Sequence, residues 1–298
     1  MKKKFIKILI LSFLLIACTN SSKAKKLWFC SDYMDRALSI SSDGLSLYIV
    51  SDNPDGYGGE DIWISHRKSI KDPWEKPINA GSEINTLYNE WAPSISIDNK
   101  KLYFASDRVD GVGGWDIWYS KRESINTNWE EPVNVGSIIN SKKNENNPFI
   151  ALNDSVLYFS DATGYSPRDG GCGKADLWVS YQNIESNQWD LPLNIGIPVN
   201  SQYNEVHPFI TSDGLVLFFS SDRPGGYGGR DIWYSKRNSL DEAWIEPVNI
   251  GPSINSSYDE LELCISNDEK EIYFSSKRSN GNIDIYQQKI SSLFDLLD

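Results

Sequence analysis

A unit of roughly 55 residues written five times along one chain, made of short aromatic and β-branched runs between turn residues, predicts an all-β fold. The fold class is a five-bladed β-propeller of four-stranded blades, because both faces of each small sheet need a neighbour to cover them. Two observations carry this. A glycine-rich stretch followed by Asp and a hydrophobic run recurs as "SDNPDGYGGEDIWIS" from Ser51, "SDRVDGVGGWDIWYS" from Ser106, "SDATGYSPRDGGCGKADLWVS" from Ser160, "SDRPGGYGGRDIWYS" from Ser221 and "SKRSNGNIDIYQQ" from Ser276. The Asp falls at Asp61, Asp116, Asp176, Asp231 and Asp284, 55, 60, 55 and 53 residues apart.

Each unit reads as four strands in order. Strand A ("PSIS") follows a leading acid, Asp35, Glu90, Glu145, Glu205 or Glu260. A polar turn such as "SSDG" leads to strand B ("LYFAS"), and the glycine-rich loop leads to strand C ("DIWYS"). Strand D is Trp-x-x-Pro-x-Asn at Trp74, Trp129, Trp189 and Trp244, and a further Asn (Asn85, Asn140, Asn200, Asn255) precedes the next leading acid. The repeats run near 35–89, 90–144, 145–204, 205–259 and 260–298. Runs B and C are apolar at consecutive positions, as strands covered on both faces are. The fifth copy stops where its strand D should begin, and "KLWFCSDY" (Lys26–Tyr33) precedes the first strand A. An unclosed ring would leave sheet edges bare, so this N-terminal segment is expected to supply the missing outer strand. A six-bladed ring is the alternative.

The chain opens "MKKKFIKILILSFLLIACTN", a lysine-rich start and an apolar run too short to span a bilayer, followed by small residues before Cys18. This predicts a signal peptide over 1–17. "LIAC" resembles the lipobox of bacterial lipoproteins, which implies lipidation at Cys18, a polar tether over 18–26 and one propeller domain over 27–298. Residues 1–17 hold four lysines and no acid, so their removal takes the formal charge from −12 to −16. So acidic a chain repels nucleic acid, which is excluded as a partner.

The recurring pattern E-x-x-P-x-I-S-x-D-G-x-x-L-Y-F-x-S-D-R-x-G-G-x-G-x-x-D-I-W resembles the WD40-like β-propeller repeat of bacterial exported proteins, a repeat type also found in the Tol-system periplasmic propeller. The resemblance covers residues 35–289. With the lipobox it implies an exported, membrane-anchored lipoprotein of the cell envelope, and Thr19 after Cys18 is compatible with sorting to the outer membrane, where it is expected. In many relatives such repeats precede a peptidoglycan-binding domain; none is expected here after "SSLFDLLD".

Chain direction places the glycine-rich loops and the segments before strand A on one face, and strand A along the central channel. Asp35, Glu90, Glu145, Glu205 and Glu260 are therefore expected to ring the channel mouth, focusing negative potential and raising one another's pKa. A rival reading has each acid hydrogen-bonded within its blade. Eight of the eleven tryptophans recur at two repeat positions and read as packing. Trp91 and Trp115 break the pattern and are ligand-stacking candidates. His207 joins them near the mouth. The third glycine-rich loop, Asp161–Asp176, is six residues longer than its counterparts, and Tyr165, Arg168 and Asp169 make it a candidate partner site.

Several chemistries lack their residues. The cysteines and the two histidines show no zinc spacing. The loop acids miss the calcium-loop pattern, so acids such as Asp222 and Asp231 are read as pinning backbone N–H groups. A phosphate loop should open a helix, whereas "DIWYS" is a strand. No cofactor or metal is expected. The expected function is a binding or scaffold role, recognising a protein or peptide, or an envelope polymer such as peptidoglycan, at the mouth. The alternative is a glycan-binding or glycan-cleaving propeller using the same acids.

Overall fold

The structure, a computed structural model, describes residues 23–30, 32–161, 168–183, 185–279 and 281–297. A two-residue strand, β1 (Lys25–Lys26), comes first. Blade 1 follows as β2 (Asp35–Ile40), β3 (Ser46–Ser51), β4 (Asp61–His66) and β5 (Ile78–Asn79). Blade 2 is β6 (Glu90–Ile95), β7 (Lys101–Ser106), β8 (Asp116–Lys121) and β9 (Val133–Asn134). Blade 3 is β10 (Glu145–Ala151), β11 (Val156–Asp161), β12 (Leu177–Tyr181) and β13 (Leu193–Asn194). Blade 4 is β14 (Glu205–Ile210), β15 (Val216–Ser221), β16 (Asp231–Lys236) and β17 (Val248–Asn249). Blade 5 is β18 (Glu260–Ile265), β19 (Glu271–Ser279) and β20 (Asn282–Lys289), with a short helix, α1 (Leu293–Leu297), after it.

Every sheet is an antiparallel meander, and the fifth takes β1 as its outer strand in the order β1-β20-β19-β18. The innermost strands touch in a closed cycle, β2 on β6, β6 on β10, β10 on β14, β14 on β18 and β18 on β2. The ring therefore has five blades and not six. The closing strand sits one residue earlier than the sequence predicts, at Lys25–Lys26, and Leu27 extends it by donating its N–H to Ile285 O at 2.8 Å. Across the same seam Arg67 Nη1 meets Glu271 Oε2 at 3.0 Å, and Trp74 Nε1 donates to the Tyr273 hydroxyl at 3.2 Å.

The repeated residues have local causes. Strand D is only two residues long, and Asn85 extends its pairing: its amide accepts from Ile62 N–H at 2.9 Å and donates to Ile62 O at 2.8 Å. Asn140, Asn200 and Asn255 do the same for Ile117, Leu177 and Ile232. Strand-B aromatics such as Tyr48, Phe104, Phe159, Phe218 and Phe274 are fully buried between blades. The recurring tryptophans pack as expected. Trp63, Trp118, Trp178 and Trp233 are buried, and Arg67, Arg122 and Arg237 lie over Trp74, Trp129 and Trp244 at 4.3–4.4 Å.

Candidate functional site at the upper channel mouth

Four glycine-rich loops are pinned from within. Asp61 Oδ1 accepts from Gly58 N–H at 3.3 Å, and the carboxylates of Asp116, Asp176 and Asp231 accept from Val112, Cys172 and Tyr227 N–H. Asp222 likewise accepts from Asn204 N–H at 2.8 Å. A Cβ on Gly228 would sit 1.9 Å from Tyr258 O, so this glycine is needed for the loop to lie against the segment before the next strand. These amides are committed to the loops' own carboxylates.

The leading acids do not form an open ring at the mouth. Asp35, Glu90, Glu145, Glu205 and Glu260 are all buried, each at 4% exposure or less. Glu90 accepts from Thr86 N–H and Oγ1 at 2.8 and 2.7 Å, from Ser106 Oγ at 3.1 Å and from Arg108 Nη2 at 3.0 Å. Glu205 with Arg223 and Glu260 with Arg278 repeat this at 3.0 and 2.7 Å, and the arginine also holds a backbone carbonyl. Burial raises the pKa of Glu90 and Glu145 against their hydrogen bonds, so desolvation and not repulsion within a carboxylate ring is the cause.

Arg168 of the enlarged loop belongs to this frame, with Nη1 3.3 Å from Glu145 Oε1 and 2.7 Å from Ile139 O. Asp169 is exposed beside it. Tyr165 and Cys18 lie outside the described residues.

A β-bulge sets what does face the channel. Each innermost strand loses register just after its leading acid, between Arg36 and Ser39, Trp91 and Ser94, Asn146 and Phe149, Val206 and Phe209, and Glu260 and Leu263. The bulge residues Ala37, Ala92, Asn147 and His207 take positive φ of 50–56°, a conformation that costs an ordinary residue about 1–2 kcal/mol. With Glu262 they line a pocket of about 30 Å³ on the channel axis.

One side chain from every blade converges here. Asn147 Nδ2 lies 2.8 Å from His207 Nδ1, which is 3.4 Å from Glu262 Oε1, and Ser275 Oγ donates to Glu262 Oε2. Trp91 reaches across the mouth from blade 2 to His207 on blade 4, edge to face at 6.2 Å, and meets Trp115 at 5.7 Å. Arg36 of blade 1 lies over Trp91 at 4.4 Å and pairs with Glu60.

The electrostatics are mixed. Burial pushes the Glu262 carboxyl up to about 7 against the opposing pull of Arg36 and Arg230. Burial, reinforced by those two guanidinium groups, holds His207 well below its ordinary pKa, so it is neutral. Four buried polar atoms at this level have no hydrogen-bond partner: Arg36 Nε, Trp91 Nε1, Asn146 Oδ1 and Glu262 Oε1. Buried donors and acceptors gathered at one level make this the part of the channel where an added polar group would gain hydrogen bonds.

Sequence reasoning placed His207, Trp91 and Trp115 here and missed Asn147 and Glu262. Their signal was variability: two residues after the leading acid the chain reads Ala, Ala, Asn, His and Glu, in a frame that otherwise repeats.

No family model matches the chain, and no curated protein matches it in sequence. Solved structures similar in fold include a putative TolB from Agrobacterium tumefaciens, with TM-score 0.51, 14% identity, and 88% of this chain aligned to 85% of that one. A thermostable family-43 glycoside hydrolase aligns with TM-score 0.59 and 11% identity over 90% of this chain and 96% of its own. The xyloglucan PUL GH43B of Bacteroides ovatus aligns with TM-score 0.57 and 15% identity, and this chain spans 56% of its length. At such identities the likeness is one of fold. The protein is an all-β, five-bladed propeller of four-stranded blades, whose neighbours of the same fold include both TolB and glycoside hydrolases.

Proposed function

We propose that the protein is a binding module of the bacterial cell envelope that recognises a protein or peptide partner on its upper face, anchored at the channel mouth. The observation that carries this is the surface around the mouth. Tyr57 and Tyr227 on the glycine-rich loops, and Tyr88 and Tyr258 on the segments beside them, are 40–53% exposed. Tyrosine gives large contact area for little entropy and is enriched where proteins meet. Beneath them the pocket on the channel axis, about 30 Å³, has room for the tip of one polar side chain of a partner.

Cleavage of glycans fits less well. Hydrolysis needs two carboxylates about 5–10 Å apart across the scissile bond, whereas Glu262 is the one carboxylate that lines the pocket among the described residues. A 30 Å³ space admits about one water's volume, the tip of a side chain and not a sugar ring.

The lysine-rich and apolar first 17 residues, the "LIAC" motif and the WD40-like repeat pattern support an exported lipoprotein tethered through Cys18, placed at the outer membrane. A pull-down from detergent-solubilised envelopes, paired with a glycosidase screen, tests the reading. A partner retained by wild type and lost with Trp91→Ala/Glu262→Gln supports it. Sugar release abolished by the same double substitution supports the glycan alternative.

A further inference from the structure

The opposite end of the channel is built differently, and the recognition described above does not use it. A cavity of about 230 Å³ opens among the turns that join the first two strands of each blade. One isoleucine from every innermost strand forms its wall: Ile40, Ile95, Ile150, Ile210 and Ile265. Phe149 and Phe209, with ring centroids 5.0 Å apart, belong to its floor. Hydroxyl and amide side chains such as Ser41, Thr211 and Asn267 stand among the lining residues.

The turns at this end follow one plan in four blades. Asp43, Asp98, Asp213 and Asp268 each accept a hydrogen bond at 2.6 Å from the hydroxyl two residues before them, Ser41, Ser96, Thr211 or Ser266. The third blade abandons the plan: Ala151 replaces the hydroxyl residue and Asn153 the aspartate. Its backbone turns left-handed at three consecutive residues, Leu152, Asn153 and Asp154, with φ of 48°, 57° and 65°. A leucine in that region is an outlier, and such outliers gather at ligand clamps. Leu152 lines the cavity and packs against the Gly214 turn of blade 4, forming an apolar wall where the other turns are polar.

We propose that this lower cavity binds a small amphipathic molecule without negative charge, its aryl or branched-alkyl body inside and its polar end at the hydroxyl rim. At protein packing density the volume holds a body of about ten heavy atoms. A helix, about 10 Å across, would need several times this volume for even a few turns. Asp154, already paired with Lys101 at 3.5 Å, and Glu269 stand among the lining residues, so an anionic head is disfavoured. An apolar pocket with few polar groups at its edge is the form small-molecule sites take.

Photoaffinity labelling of the full chain in lipid nanodiscs with 3-phenyl-3-(trifluoromethyl)diazirine tests this. Mapping the adducts by mass spectrometry separates cavity labelling from partition of the probe into lipid. Saturable labelling at residues 149–154 and 209–212, competed by 1-naphthylmethylamine and at least tenfold less by 1-naphthoate, is expected. Ala151→Trp, which fills the space, should abolish it. Leu152→Gly, whose backbone suits glycine, should lower it at least fivefold with the thermal midpoint kept or raised. Labelling absent from these segments, unsaturable, competed equally by the anion or unchanged in Ala151→Trp would overturn the proposal.

Discussion

Glu205 and Arg223 show how a surface-looking residue in the sequence becomes a core residue in the fold. The carboxylate is wholly buried and Arg223 reaches both it and Val199 O, so the pair ties a blade to the segment that enters it. Arg223→Met leaves a buried charge with one partner fewer, and a loss of about 3–5 kcal/mol in stability is expected from chemical denaturation. Glu262 and His207 act oppositely with pH. Glu262 titrates near 7 when folded and near its ordinary value when unfolded, so its contribution to stability falls as pH rises from about 4.5 to 7. His207 is depressed by folding, so it costs stability as pH drops below about 6.5. Glu262→Gln should therefore flatten the limb between pH 4.5 and 7 and gain up to about 3 kcal/mol above pH 7, while the acid limb due to His207 persists. Denaturant melts across pH check both signs.

At the scale of elements, the blades were legible because strand, turn and loop recur in one order and every copy agrees. The phase of strand A was not. Side chains alternate along a strand, so reading from Glu90 or Glu205 to the channel assumes unbroken alternation. The bulge after each leading acid adds a residue, and the face that meets the channel passes to the positions of Asn147, His207 and Glu262. Nothing in "ENNPF" or "EVHPF" announces a bulge before a structure is at hand, although the changing residue at its third position does stand out. The role of Arg168 was hidden likewise, since an insertion separates it from the Ser-Asp that directly precedes Arg108 and Arg223. Closure was legible to within one residue, because a ring that lacks an outer strand must find one. Deleting residues 26–34 removes part of β1, Leu27 and the Lys26–Asp284 ion pair at 2.7 Å, and should lower the thermal midpoint by 10 °C or more. Gly228→Ala should also destabilise, by more than 2 kcal/mol, because the clash is with backbone.

At the scale of the molecule, five near-identical blades hold a site that is not five-fold. Arg36, Trp91, Asn147, His207 and Glu262 come one from each blade, and only the closed ring brings them together. Weakening closure should thus weaken recognition even though none of these five side chains lies within residues 26–34. Recognition at the channel mouth is tested most directly by site-specific photocrosslinking in intact cells, with benzoylphenylalanine placed in turn at Tyr227 and Tyr88 on the upper face and at Tyr181 at the lower end of β12. A discrete protein adduct from Tyr227 and Tyr88, absent from Tyr181 and lost when Trp91→Ala/Glu262→Gln is added, is the predicted result. Adducts of equal yield from all three positions, or adducts indifferent to the double substitution, would contradict recognition at the channel mouth.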